Sequence, residues 1–310
     1  MLTELYFSGK LYLCKGKTRR RNKDMKTGLV LEGGALRGLF SVGVCDVLTE
    51  HGFVPDGIVG VSAGAAFGCN IKSHQPSRPL RYNKLMAHEW RYCSLRSLIK
   101  TGDLFGGDYC YHYMPNNIDL FDAETFNSDP TEFFAVCTDL DTGKAVYKRL
   151  MTIDYEAEEW FRASASMPLC SKIVVINGQR LLDGGIADSI PLRFMQEKGY
   201  SRNIVVLTQP EGYTKEKNRF LPLMKMVYRK YPRFVDAIAR RHEMYNEQLQ
   251  YVEEQEKAGN TFVIRPPEKL PVNHITHDTD AMQRTYDIGR NTAMELLKET
   301  NSIRGFLDKE

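Results

Sequence analysis

Several features that would place this sequence quickly are missing. No apolar run approaches the ~20 residues needed to span a bilayer. The seven cysteines, at 14, 45, 69, 93, 110, 137 and 170, are odd in number and include no CxxC pair. That is neither a disulfide framework nor a zinc site, and it predicts reduced thiols in a cytoplasm. The formal charge of +3 is too small to argue for a nucleic acid partner. The glycine-rich stretch EGGALRG (32–38) fails the G-x-G-x-x-G spacing, because Ala35 stands at the middle glycine. It also has no GK[ST] ending, so it is no P-loop. There is no internal repeat and no low-complexity block.

What remains is ordinary in bulk and specific in detail. The chain has 310 residues, 42% of them hydrophobic and 26% charged, enough for one α/β domain with a modest extension. The first 24 residues carry their charges after their apolar residues, the reverse of a signal peptide. They read as a basic tail outside the fold. A lipid-binding arm, or an upstream start with Met25 as the more natural beginning, are the other readings.

From Thr27 two strand–helix units follow in quick succession. TGLVLEGG is a buried strand (28–31) running into glycines, and LFSVGVCDVLTEHG has helical spacing with a stop at Gly52. PDGIVGV is a second strand (57–61), and SAGAAFGCNIKS is a helix of small residues. Such alternation predicts a mainly parallel sheet covered by helices. Residues 76–130 read as mixed helix and loop. FFAVCTDLDTGKAVY is strand, turn, strand, and EEWFRASASMP is a helix ending near Pro168. KIVVINGQRLLDGG is a hairpin about Asn177-Gly178, and NIVVLTQP is a strand (203–207). The stretch 211–259 is helical and charged, FVIRPP is a last strand, and the C-terminus is a helical tail.

Three motifs carry the chemistry. In GVSAG (60–64), Ser62 stands between a predicted strand and a predicted helix, the context of a nucleophile elbow, with Gly60 and Gly64 permitting the sharp turn. EGGALRG lies at another strand–helix junction, where unpaired N–H groups can hold a phosphate or an oxyanion. LLDGG (181–185) ends a strand on Asp183 beside Gly184 and Gly185, and can present a carboxylate into a cleft. A serine nucleophile needs a base. From these residues alone it is Asp183, or a late histidine, His274 or His277, in the chain order of an α/β-hydrolase.

Taken together, GGALRG, GVSAG and DGG, with TDLDTG (138–143), ASASMP (163–168) and GIADSIP after them, resemble the patatin-like phospholipase family over about 27–209. The resemblance implies a three-layer α/β fold with a mainly parallel central sheet flanked by helices. Residues 25–210 would be the catalytic domain and 211–310 a mostly helical C-terminal extension. It implies Ser62 as nucleophile and Asp183 as its partner, with no histidine, no metal and no cofactor. Gly33, Gly34, Ala35, Arg37 and Gly38 would form the oxyanion loop, through the N–H groups of Gly34, Ala35 and their neighbours. Arg37 would orient the loop or meet a phosphate. The substrate would be an acyl lipid or phospholipid, cleaved at its carboxylic ester.

Two departures stand out. Ala35 replaces the motif's third glycine, which costs roughly 1 kcal/mol or more if the position needs positive φ. Ser189 stands where many relatives carry Asn, which predicts looser support of the loop after Asp183, although a serine can still hydrogen-bond there. Two rivals stay open. One is a phosphate- or nucleotide-binding module, or a catalytically weak patatin fold; the other is an α/β-hydrolase esterase using a late histidine. RFLPLMKMVYRKYPRFVDAIARR (219–241) mixes basic and large apolar residues. It reads either as a helix covering the core or as a surface for peripheral membrane contact. Nothing in the sequence points to a particular oligomeric state.

Overall fold

The buried run at the start of the family-like region forms β1 (Lys26–Leu31), an interior strand of an eight-stranded sheet. The structure is a computed structural model and describes residues 6–7, 10–11, 25–273, 275–298 and 303–308. The other strands are β2 (Gly57–Val61), β3 (Glu132–Asp139), β4 (Ala145–Arg149), β5 (Val174–Ile176), β6 (Gln179–Asp183), β7 (Tyr200–Val206) and β8 (Thr261–Ile264). Hydrogen-bonded neighbours run β8–β7–β1–β2–β3–β6–β5, with β4 also on β3. The five strands from β8 to β3 are parallel, and β4, β5 and β6 pair antiparallel. The β5–β6 hairpin turns at Asn177-Gly178, both at positive φ, as a two-residue loop of this sequence favours.

Side chains alternate along each strand between two buried layers. Leu29, Leu31, Ile58, Phe133, Ala135 and Ile204 face α1 (Gly38–Glu50), α2 (Ala63–Lys72), α4 (Tyr155–Ser164) and α7 (Thr279–Leu296). Val30, Val59, Val61, Phe134, Val136 and Val205 face the helix Leu192–Glu197 and the long α6 (Pro232–Lys257). Both faces are apolar because both are covered, which explains the near-continuous hydrophobic strands. This is the three-layer α/β arrangement with a mixed central sheet.

The irregular 76–130 stretch resolves into short helices, among them α3 (Leu95–Thr101), and a single π turn at Tyr109–Tyr113. The charged 211–259 stretch is not one helix. It breaks into α5 (Leu221–Val227) and α6, because Pro232 holds Tyr231 out of the helical region. The proposed basic tail (1–24) lies outside the described residues apart from an antiparallel pair, Tyr6–Phe7 with Lys10–Leu11.

The C-terminal helices are built into this body. At the crossing of α1 and α7, a Cβ on Gly43 would sit 2.1 Å from the Tyr286 carbonyl oxygen. One on Gly289 would sit 2.1 Å from that of Phe40. The two backbones touch, so neither position admits a side chain. Gly289→Ala should force the helices apart and destabilise the protein by about 1–3 kcal/mol. Thermal denaturation should fall by about 2–4 °C for each kcal/mol lost; an unchanged melting temperature would contradict backbone contact at this crossing.

Candidate active site

Strand register brings the two principal residues together. On β3, Val136 pairs with Val61 of β2 on one edge and with Tyr147 of β4 on the other. The next residue, Cys137, pairs with Val146 of β4 and with Asp183 of β6. A strand has two edges, so β6 occupies the same edge as β2, beyond its end. The chain that has just left Val61 therefore meets Asp183 at Ser62.

Ser62 itself has φ 56° and ψ −121°, a conformation rare for any residue with a side chain and costing of order 1–3 kcal/mol. Its surroundings enforce it. The Ser62 N–H donates to Ser164 Oγ (3.0 Å), which donates in turn to the Val136 carbonyl (2.7 Å). The Ser62 carbonyl accepts the Ala65 and Ala66 N–H groups of α2, both at 3.0 Å. A Cβ on Gly60 would lie 2.4 Å from the Gly64 carbonyl oxygen, and one on Gly64 would lie 2.3 Å from that of Leu31. The tight elbow needs both glycines.

Asp183 is buried behind the serine, close enough for the Ser62 side chain to act on its carboxyl. Burial pushes the Asp183 carboxyl above its ordinary value. Arg241, Ser62, the Gly185 N–H and Lys215 all pull it back down. The Gly185 N–H donates to Asp183 Oδ1 at 2.8 Å. The Gly185 carbonyl is fixed in turn by Arg241 Nε (2.6 Å) and Ser189 Oγ (2.8 Å). Ser189 thus ties down the turn it was expected to loosen. Burial and then the charge of Arg241, opposed by Glu32, bring Lys215 down to about 8.

The glycine loop leaves β1 through Glu32. Its carboxylate accepts the Thr208 N–H (2.6 Å) and hydroxyl (3.1 Å) at the end of β7, and the Tyr245 hydroxyl (2.6 Å) from α6. Gly33 lies directly behind Ser62: a Cβ there would be 2.9 Å from the serine Cβ. Ala35 has φ 48°, so the departure from glycine falls where a Cβ is strained. No acceptor among the described residues takes the N–H of Gly34 or Ala35. Gly38 opens α1 just beyond. Arg37 Nε is buried without a hydrogen-bond partner among the described residues, and its charge acts on Lys215 and Tyr245.

Ser62 and Ala35 open on a cavity of about 130 Å³ with Phe67, Tyr82, Tyr92, Phe105, Tyr111 and Phe161 in its lining. Its polar wall includes Arg162, which pairs with Asp103 (3.5 Å) and Glu159 (3.1 Å). Asp183 does not line it; the serine stands between the carboxylate and the cavity. No histidine lines it among the described residues. His277 hydrogen-bonds the Ala87 carbonyl and stacks on His88, and His274 lies outside the described residues. Among those residues no cluster of His, Cys, Asp and Glu could hold a metal.

Arg241, Lys215 and Tyr245 did not emerge from the motifs, and Ser164 lies within ASASMP, to which no role was assigned. The sequence holds one signal for them. Arg241, Tyr245, Gln248 and Val252 recur at helical spacing, and the first three bond to the loops at Gly185, Glu32 and Ser189–Ile190.

The conformation of Ala35 is testable. Glycine removes a left-handed strain of about 1–2 kcal/mol and adds about 0.5–1 kcal/mol of unfolded-state entropy. Ala35→Gly should therefore leave stability to urea unchanged or raise it by up to about 1.5 kcal/mol. A clear loss would mean the Ala35 methyl contributes packing that outweighs its strain.

With this geometry in place, comparisons with known proteins can be weighed. A family model described as patatin-like phospholipase matches residues 29–195, and one described as a domain of unknown function (DUF6363) matches residues 231–304. The uncharacterized protein YjjU of Escherichia coli K12 is 26% identical over 288 residues, covering 86% of this chain and 75% of its own length. Lysophospholipase NTE1 of Scheffersomyces stipitis is 26% identical over 309 residues, covering 91% of this chain but 19% of its own length. The protein of the same name from Candida albicans is 24% identical over 308 residues, with 91% and 21% covered. The chain thus spans about a fifth of these fungal relatives. Among solved structures, VipD from Legionella pneumophila aligns with a TM-score of 0.46 at 12% identity, covering 88% of this chain and 66% of its own. Since the first family model spans more than half of the 310 residues, the chain belongs to the patatin-like phospholipase family.

Proposed function

We propose that this protein is a serine acyl hydrolase that cleaves carboxylic esters of lipids, with Ser62 as nucleophile and Asp183 as its base. One observation carries the reading. A serine on a strained elbow stands beside a buried carboxylate and opens, next to two N–H groups that no described residue engages, on an apolar cavity. The name lysophospholipase borne by the fungal relatives supports a phospholipid or lysophospholipid substrate.

In this mechanism Asp183 takes the hydroxyl proton as Ser62 Oγ attacks the ester carbon. The oxygen that becomes negative is held by the Gly34 and Ala35 N–H groups, with the N-terminus of α1 behind them. Arg37 orients this loop. The tetrahedral species collapses, the ester C–O bond breaks, and the leaving alcohol recovers the proton from Asp183. Water then attacks the acyl-enzyme with Asp183 again as base, releasing the fatty acid and restoring Ser62. The aromatic lining takes the acyl chain. We assign catalysis to residues 25–210 and give the 211–310 extension a supporting role, since Arg241 and Lys215 face Asp183 from it.

A fluorophosphonate probe should label wild-type protein and fail on Ser62→Ala. Asp183→Asn should lower kcat by about 10²–10⁴-fold on a lysophospholipid or a short-chain ester. Equal labelling of wild type and Ser62→Ala would refute the nucleophile.

The supporting cations give a second test. Arg241→Met removes one of two donors to the Gly185 carbonyl. It should cost about 10–100-fold in kcat with KM within about twofold, partly recovered by Arg241→Lys. Lys215→Met removes a positive charge that favours the ionised base. Asp183 then holds its proton to higher pH, so the acid limb of the pH–kcat profile should move to higher pH. A limb that stays put would separate that limb from Asp183.

A further inference from the structure

The structure carries an exposed face that the chemistry above does not use. In α5, Met224 points inward, as does Tyr228 just after it. Both belong to the buried cluster that includes Leu182, the neighbour of Asp183, and Ile186 beyond the glycines. The outer side presents Phe220 (66% exposed), Leu223, Met226 and Val227. From Arg219 to Arg233 the chain holds five basic residues, Arg219, Lys225, Arg229, Lys230 and Arg233, and no acidic one. α3 repeats the pattern. Leu95 and Ile99 (85% exposed) project outward, Arg96 and Lys100 lie over the Trp90 ring at 4.4 and 5.4 Å, and α3 holds no acid.

A single short segment joins these helices to the cavity. The Leu169 N–H donates to the Tyr228 hydroxyl after α5 (3.0 Å). The Cys170 carbonyl accepts the Leu104 N–H (2.8 Å), and the Lys172 N–H donates to Asp103 Oδ1 (2.7 Å), both just past α3. Within the same segment Met167 and Ser171 line the cavity. Leu169 is held at φ 67°, a strained conformation for leucine that its neighbours enforce.

Apolar side chains interleaved with cations and free of acids match the interface of an anionic bilayer. There hydrocarbon enters the acyl boundary while Lys and Arg meet lipid phosphates. A soluble acidic protein would satisfy the charge but not the isolated outward leucine, isoleucine and phenylalanine. We propose that α3 and α5 together dock this protein on a bilayer surface bearing anionic lipid and seat the 167–172 rim of the cavity against it. The inference rests on the lipid-ester reading for its purpose, but not for its measurement. Of the 219–241 segment, the first half supplies this surface. The second half is packed into the body through Phe234 and Ile238.

The test is vesicle sedimentation of the full chain, using Ser62→Ala protein so that no lipid is consumed. The vesicles are phosphatidylcholine alone or with about a quarter phosphatidylglycerol. Binding is expected to the anionic vesicles at low salt, and it should weaken as salt rises. Two double variants, Ile99→Ser with Phe220→Ser and Lys225→Glu with Lys230→Glu, should each reduce binding about tenfold or more. Because all four positions are exposed, melting temperatures should be unchanged. Placed back on Ser62, the same variants should keep wild-type hydrolysis of a soluble short-chain ester while losing hydrolysis of vesicle lipid. Absence of binding to anionic vesicles, binding equal with and without phosphatidylglycerol, or variants that bind like wild type would each overturn the proposal. So would a dimer in solution that the apolar substitutions dissociate while vesicles are ignored. Vesicle binding with no ester hydrolysis by wild type would leave the surface standing and remove the hydrolase reading.

Discussion

Asp183 ends β6 with 6% of its surface exposed, so its carboxylate has given up most of its hydration. An unpaired charge in such a place costs several kcal/mol, and in most proteins it would simply keep its proton. Here the cost is offset from three directions. The Ser62 hydroxyl comes from one side and the Gly185 N–H from its own turn, and the charges of Arg241 and Lys215 approach from the C-terminal region. The balance still leaves the carboxyl raised. A carboxylate so poised is a stronger base than one in water, yet can still ionise, which is what proton removal from a serine hydroxyl demands.

That arrangement depends on β3. Val136 and Cys137 are consecutive residues, and their partners on one edge are Val61 and Asp183. A slip of one residue in either pairing would turn Asp183 to the opposite face of the sheet. The register is held from outside the pairing. Thr138 Oγ1 donates to the Asp183 carbonyl (2.8 Å), and Ser164 spans Ser62 and Val136. A Cβ on Gly184 would lie 2.2 Å from the Val136 carbonyl oxygen, so the Asp-Gly-Gly turn can lie flat over β3 only as glycine.

The strands, the elbow and the Asp183 turn were legible in the sequence because each is local. A buried run, a pair of glycines and a strand end are all read within a few residues. The hairpin at Asn177-Gly178 was legible for the same reason. What was not legible depends on distance. Arg241 reaches Gly185 across 56 residues, and Tyr245 reaches Glu32 across 213. Each is an ordinary residue on an amphipathic helix until the fold is known. The break at Pro232 is a local signal inside a stretch, 211–259, read only as helical and charged. The cavity wall from 76 to 130 was opaque because its short helices and π turn have no sustained period to detect. The doubt over Ala35 was well placed: the position does have positive φ, and the loop tolerates alanine at a cost in strain.

Of the residues with side chains at positive φ, Ala35 and Ser62 line the cavity as loop and nucleophile, and Leu169 lies between its lining residues Met167 and Ser171. Each costs of order a kcal/mol or more, so the surrounding structure must over-determine them. The C-terminal helices do much of this. Tyr245 of α6 anchors Glu32 at the root of the Ala35 loop, and Arg241 anchors the turn that holds the partner of Ser62. Tyr228, between α5 and α6, anchors Leu169. Removing the extension would therefore do more than shorten the protein: it would release the contacts that hold these strained segments in place. This explains why α6 is in register with the loops it touches, at 241, 245 and 248, while its outer face is mostly solvated charge. It also means that a force applied to α5 from outside has a short path to the rim at 169–172. The outward apolar side chains of α5 and its inward Met224 belong to the same two turns of helix.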